Sequence, residues 1–183
     1  MTVAVRQQPG MRIRPATMAE VPEVQGIYAH HVLHGTGSFE EAPPSVEEMA
    51  CRLAAITGHG WSWLVATDAT GVLGYAYYGR FRDRSAYRYT CEDAVYVRDD
   101  VRGQGVGKAL VARLLAEAEA EGFRQMLAVI GDADNVGSIG VHASLGFVRV
   151  GTLRAVGLKF GRWLDAVYMQ RTLGAGDRDV PAG

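Results

Sequence analysis

The chain has 183 residues, 48% of them hydrophobic, enough apolar material for one substantial core but not for two full-sized domains. Its 19 basic and 20 acidic residues nearly cancel, so no whole-molecule field favours nucleic acid or an anionic membrane. No apolar run approaches the roughly 20 residues that span a bilayer, and Met1 to Gly10 lacks the apolar stretch of a secretion signal, so the expected compartment is the cytoplasm.

Met11 to Arg14 reads as a short strand. Thr17-x-x-Glu20 is a capping box opening a helix, whose Val21, Val24, Ile27, Tyr28 and Val32 recur at helical spacing to about Leu33. Gly35 to Ser38 breaks that helix, Pro43-Pro44 prevents its resumption, and Ser45-x-x-Glu48 caps a second one carrying Met49, Leu53 and Ile56. Trp61 to Thr67, Val72 to Phe81 and Tyr89 to Val97 are strand-like runs expected to form an antiparallel meander, with a loop at Arg82 to Tyr87. From there strand and helix alternate: helix at Gly105 to Glu121, strand at Met126 to Ile130, helix at Val136 to Ser144. Strands near Phe147 to Leu153 and Trp163 to Arg171 close the pattern. Meander followed by alternation predicts an α/β fold with one mixed sheet covered by helices on both faces. The expected domain covers residues 11–173, with 1–10 and the Gly/Asp-rich 174–183 as disordered tails.

Cys51 and Cys91 have no CxxC spacing and are expected as buried or half-buried thiols. Five histidines stand at 30, 31, 34, 59 and 142. The first three read as helix surface, and no metal site is expected.

Between the strand ending at Val97 and the amphipathic helix lies Arg102-Gly103-Gln104-Gly105-Val106-Gly107-Lys108. Backbone amides at such a helix start converge on an anion, because they are unpaired within the helix and sit at the positive end of its dipole. Two familiar phosphate loops fail here. A Walker A loop needs glycine at Arg102 and serine or threonine at Ala109, and GxGxxG from Gly103 needs glycine at Lys108.

What fits is Arg-x-x-Gly-x-Gly at 102, 105 and 107, which resembles the pyrophosphate signature of the GNAT superfamily of N-acetyltransferases. Asn135-x-x-Ser138-x-x-x-His142-x-x-x-Gly146-Phe147 resembles that superfamily's later motif. There the asparagine contacts the pantetheine arm, and a tyrosine-like position, here His142, faces the thioester sulfur. Asn135 is equally suited to cap a helix, and the two roles are compatible. The resemblance implies a mostly antiparallel sheet splayed between strands 4 and 5. It also implies acetyl-CoA as co-substrate, with Val95, Tyr96, Val97, the 102–108 turn, Asn135 and Ser138 as its binding residues, and no metal.

Within the superfamily, Tyr89-Thr90-Cys91-Glu92-Asp93-Ala94-Val95-Tyr96-Val97 resembles the phosphinothricin and methionine sulfoximine acetyltransferases, which carry their general base at the Glu92 position. Ser38-Phe39-Glu40, Arg82-x-Arg84-x-Ala86-Tyr87, Ala128 to Gly131, Leu153-Arg154-x-x-Gly157-x-Lys159 and Trp163-x-Asp165 resemble that family in the same order. Arg80 stands where that family has proline, and Cys91 where it has valine.

Amide formation from a thioester needs a neutral amine, and a free α-amine with a pKa of about 7.7–8.0 is largely protonated at neutral pH. Glu92 is suited to take that proton if burial raises its pKa above about 4.3. A backbone amide near Val95 is implied as the oxyanion donor, and His142 as proton donor to the thiolate. Arg82, Arg84 and Lys159 are the cations for a substrate carboxylate, and Phe39, Glu40, Tyr87 and Trp163 the site's other residues. The implied acceptor is a small amino acid or analogue, and the implied assembly a homodimer. A protein N-terminus or polyamine as acceptor, or a CoA-binding module without turnover, are the alternatives.

Overall fold

The structure, a computed structural model, describes residues 10–181. Strand β1 (Arg12–Pro15) leads through a single turn of 3-10 helix (Met18–Glu20) into helix α1 (Val21–His34), followed by α2 (Val46–Gly58). Strands β2 (Trp63–Asp68), β3 (Gly71–Arg80) and β4 (Thr90–Val97) come next, then α3 (Val106–Ala120), β5 (Gln125–Gly131) and α4 (Val136–Ser144). A long hairpin, β6 (Val148–Lys159) and β7 (Arg162–Thr172), closes the chain.

The seven strands form one sheet in the order β1-β2-β3-β4-β5-β7-β6. Every neighbouring pair is antiparallel except β4 with β5, which is parallel. That parallel ladder is short. It joins Thr90 to Gln125 through Asp93 to Ala128 and then stops, although β4 continues to Val97 and β5 to Gly131. Beyond Asp93 the strands part, while β4 keeps β3 as partner as far as Val97 opposite Gly74.

Side chains on β4 alternate between faces. Cys91, Val95 and Val97 join the larger core cluster under α3 with Leu110, Leu114 and Met126. Tyr96 packs in the smaller one with Val24, Tyr28 and Leu53 of α1 and α2. The two clusters place helices on both faces, as the alternating pattern predicts.

Several local expectations change. The Thr17 capping box is present, with Thr17 N donating to Glu20 Oε2 at 2.7 Å, but it opens the 3-10 turn that feeds α1. Arg14 beside Glu20 holds that carboxyl down to about 2. The loop at 82–87 contains a 3-10 turn, Ser85–Tyr87. Cys91 is buried as expected, whereas Cys51 is exposed on α2. His31 is not helix surface, since its Nε2 lies 2.8 Å from the Val97 carbonyl. At the C-terminal end, residues 174–178 form turns, with Arg124 Nη1 2.9 Å from Asp179 Oδ1. That segment is therefore tied to the body, in place of the tail read from composition. The rest of the expected N-terminal tail, 1–9, and residues 182–183 lie outside the described residues.

Candidate active site

The glycine turn stands between β4 and α3, where its sequence places it. Gly103 and Gly105 adopt φ of 75° and 86°, a region that excludes most residues with a Cβ. Gly105 is the N-cap of α3, and among the described residues no side chain caps that helix. The amides of Val106, Gly107 and Lys108 therefore lack intrahelical acceptors and point out of the helix start. Gly107 lets α3 lie close on β4, because a Cβ there would stand 3.3 Å from Val97 Cγ2. Arg102 is held by Asp99 at 2.9 Å, and Gln104 Nε2 donates to the Asp100 carbonyl at 3.2 Å, which fixes the loop's entry.

The turn opens onto the split between β4 and β5. One wall carries the backbone of Val95, Tyr96 and Val97. At the head of the other, Asn135 caps α4 by accepting from Ser138 N at 3.2 Å, with its Nδ2 against Gly37 of the loop after α1. A Cβ on Gly131 would stand 2.6 Å from the Thr36 carbonyl, so glycine is what allows that loop to lie against the end of β5. Free amides at the start of α3 and strands that part after Asp93 give donors and space for a long phosphate-bearing ligand.

Glu92 lies on the last paired stretch before the split, opposite Gly79 on β3 and Leu127 on β5. It faces the α2 side and lines a cavity of ≈ 450 Å³ with Ile56, His59, Trp61, Tyr77, Arg80 and Asp83. Burial raises the Glu92 pKa, the Arg82 charge counters it, and Asp93 adds to the rise. A groove of ≈ 510 Å³ between α1 and the end of β4 is larger, but it holds neither Glu92 nor the 102–108 amides.

His142 and Asp93 form a buried pair beneath α4, with Nε2 3.0 Å from Asp93 Oδ2 and Nδ1 2.8 Å from the Ser138 carbonyl. Both ring nitrogens are occupied and the residue is only 2% exposed. Asp93 was not among the residues read from the sequence, although a charge on the apolar face of β4, between Cys91 and Val95, was the available signal.

The residues expected on the acceptor side divide. Arg82 is exposed, stacks over Phe81 at 4.1 Å and reaches Glu92 electrostatically. Arg84 is exposed on the same loop, and Tyr87 stands edge-on to Phe81 at 5.7 Å. Phe39 lies over Gly157, where a Cβ would come within 2.5 Å of its ring. Two expected ligands are already engaged. Lys159 is 2% exposed, and its Nζ donates to the carbonyls of Ser38 at 2.7 Å and Gly35 at 3.0 Å. It ties β6 to the loop after α1 and does not present its charge to a carboxylate. Glu40 accepts from Arg52 Nη1 at 2.7 Å and from Tyr28 Oη at 2.9 Å, so it braces α1 against α2. Trp163 is 66% exposed and lines neither of the two cavities.

With this geometry in view, the sequence matches the profile described as Acetyltransferase (GNAT) family over residues 27–147. The chain belongs to the GNAT acetyltransferase family. Among relatives of this acetyltransferase, a phosphinothricin N-acetyltransferase from Alcaligenes faecalis is 50% identical over 88% of this chain and 82% of its own length. An L-methionine sulfoximine/L-methionine sulfone acetyltransferase from Pseudomonas paraeruginosa is 43% identical over 88% of this chain and 94% of its own. The crystal structure of a GNAT superfamily phosphinothricin acetyltransferase from Sinorhizobium meliloti in complex with AcCoA aligns with a TM-score of 0.91. It has 46% identity and covers 94% of each chain. Among the described residues no group of three or more His, Cys, Asp or Glu is arranged to hold a metal, and no helix is long and apolar enough to cross a membrane.

Proposed function

We propose that this acetyltransferase moves acetyl from acetyl-CoA to the α-amine of a small amino acid or analogue of the phosphinothricin or methionine sulfoximine type. The observation that carries the reading is Glu92 buried in a cavity with the Arg82 guanidinium within electrostatic reach. An acceptor bearing a carboxylate beside its amine meets a cation and a base at once.

The amides of Val106, Gly107 and Lys108, with Arg102 beside them, bind the pyrophosphate. The backbone of Val95 to Val97 and the Asn135 and Ser138 end of α4 hold the pantetheine arm along the split. Acetyl-CoA supplies the activated acyl group. Arg82, assisted by Arg84, orients the acceptor carboxylate, while Phe39 and Tyr87 screen the site from water. Glu92, its pKa raised by burial, takes the amine proton directly or through water, so that a neutral nitrogen attacks. A β4 amide near Val95, free of β5 after the strands part, stabilises the developing oxyanion.

The reading places catalysis in one domain spanning 11–173, in the cytoplasm, acting on small molecules without nucleic acid. Blocking the α-amine of such analogues would confer resistance to them. A homodimer is supported by the edge strand β6, its turn and the start of β7, where Leu153, Val156, Leu158, Phe160 and Trp163 are each 48–66% exposed. Thiol release with phosphinothricin, L-methionine sulfoximine, a polyamine and an N-terminal peptide tests the acceptor class. The amino-acid analogues should turn over at least tenfold faster at equal concentration, and a preference for polyamine or peptide would replace the proposal.

A further inference from the structure

Cys91, Asp93, Val95 and Val97 share the face of β4 beneath α3 and α4. Asp93 is the charged member of that row, 7% exposed, and it occupies the last rung before β4 and β5 part, opposite Ala128. A buried carboxylate is costly unless fully paired. This one is half-paired: Oδ2 meets His142 Nε2 at 3.0 Å, and Oδ1 has no hydrogen-bond partner among the described residues. An arrangement serving stability alone would satisfy both oxygens or replace the pair with apolar groups.

The His142 contacts fix its tautomer. Nδ1 lies 2.8 Å from the Ser138 carbonyl, which only accepts, so Nδ1 carries a hydrogen. The exchangeable proton is then the one between Nε2 and Asp93 Oδ2. Phe147 stands edge-on to the ring at 4.9 Å and restrains it.

We propose that Asp93 is a positioning residue for the transfer, holding a second proton on His142 at the head of the split for delivery to the departing thiolate. The inference rests on acetyl transfer with Glu92 as base. As the acceptor nitrogen bonds to the acetyl carbon, the carbon–sulfur bond breaks and sulfur keeps the bonding pair. Glu92, having passed the ammonium proton to water before the attack, takes the second proton that nitrogen loses, and sulfur takes the Nε2 proton. Nε2 then turns a lone pair toward a carboxylate, which drives reprotonation from water, and Glu92 returns its own proton to water. Neither residue is consumed. The step requires sulfur to seat beside the Nε2–Oδ2 contact.

Burial alone would lower the His142 pKa, but the Asp93 hydrogen bond and charge, with the Ser138 carbonyl, raise it above the ordinary 6.5. Asp93 also borders the Glu92 cavity, which holds His59, Arg80 and Asp83, while β6, packed against α4, carries the exposed Arg149 and Arg154. Cys91 shares the face, its thiol pushed up by burial and then by Asp93. Glu92 looks from the opposite face, and Tyr78, its phenol raised by burial, stands opposite Asp93 on β3. β5 has no ionisable side chain between Gln125 and Gly131, and α4 has none besides His142. The charged residues of α3, Lys108 to Glu119, lie off its buried stripe.

Nitrogen-15 NMR of the imidazoles, without ligand and with coenzyme A, tests the proton inventory directly. In the wild type, Nδ1 should stay protonated, Nε2 should titrate with a midpoint above 6.5, and coenzyme A should move that midpoint. In Asp93→Asn the midpoint should fall, and the alkaline limb of the kcat profile should move to lower pH with it. The acid limb, set by Glu92, should stay in place, whereas Glu92→Gln should replace it with a limb at the amine's own pKa of about 7.7–8.0 and leave the His142 midpoint unmoved, so the two readings fail separately. An unmoved alkaline limb in an Asp93→Asn protein that binds acetyl-CoA normally would overturn the proposal. If that variant does not fold, a wild-type midpoint insensitive to coenzyme A would overturn it equally.

Discussion

Gly105 allows the strain and the electrostatics of the proposed anion cradle to be separated. It caps α3 at a φ of 86° and leaves the first amides of the helix without a side-chain partner. A residue with a Cβ in that conformation costs about 1–2 kcal/mol, so Gly105→Ala should lower Tm by about 2–8 °C for a chain of this size. It adds no charge and should change acetyl-CoA affinity only a few-fold. Gly105→Asp adds the same strain and a carboxylate amid the amides. At roughly 5 Å from a phosphate charge and an effective dielectric near 20, the repulsion is about 3 kcal/mol per charge pair, which is about 10²-fold in Kd. Titration calorimetry with acetyl-CoA, alongside thermal unfolding, should show the two variants melting together and binding differently. Equal affinity in both would refute an electrostatic cradle at the 102–108 turn.

Arg82→Ala should cost about 1.5–3 kcal/mol in kcat/KM toward a carboxylate acceptor, the value of a charged hydrogen bond. Against the carboxamide analogue it should cost far less, and a full double-mutant cycle showing no coupling would remove Arg82 from recognition. Lys159→Ala leaves the Ser38 and Gly35 carbonyls without their donor and should lower stability by about 1–3 kcal/mol. Denaturant unfolding should show it, and calorimetry should find acetyl-CoA affinity unchanged. Because burial raises the Glu92 pKa, its neutral form favours the fold, and that advantage is lost as pH rises through the folded value. Glu92→Gln should therefore melt higher than wild type at pH 8, with the gap closing below the ordinary 4.5. A lower Tm at pH 8 would show the carboxylate to be favourably paired.

Much of this was legible along the chain because it is local. The capping residues Thr17 and Ser45, the period-2 alternation of β4 and the glycine turn before α3 depend on neighbours within a few positions, and the structure keeps them with boundary shifts of a residue or two. β6 ran further than expected, to Lys159, because its exposed apolar residues and the bulge between Leu153 and Gly157 hide the strand's period. What could not be read is which partner each charge finds. Lys159 meets Ser38 across 121 positions and His142 meets Asp93 across 49, distances at which tertiary packing decides. The same limit applies to Glu40, which fits a substrate-side motif yet is held by Arg52 and Tyr28.

The central claim, that Glu92 takes the acceptor's proton, is tested most directly by steady-state thiol release with Glu92→Gln and L-methionine sulfoximine or phosphinothricin at pH 7. A positioned general base contributes about 10²–10⁴ in rate, so kcat should fall by about that factor while acetyl-CoA affinity holds. Raising the pH should recover part of the loss as free amine accumulates. Turnover near the wild-type value at pH 7 would contradict the account.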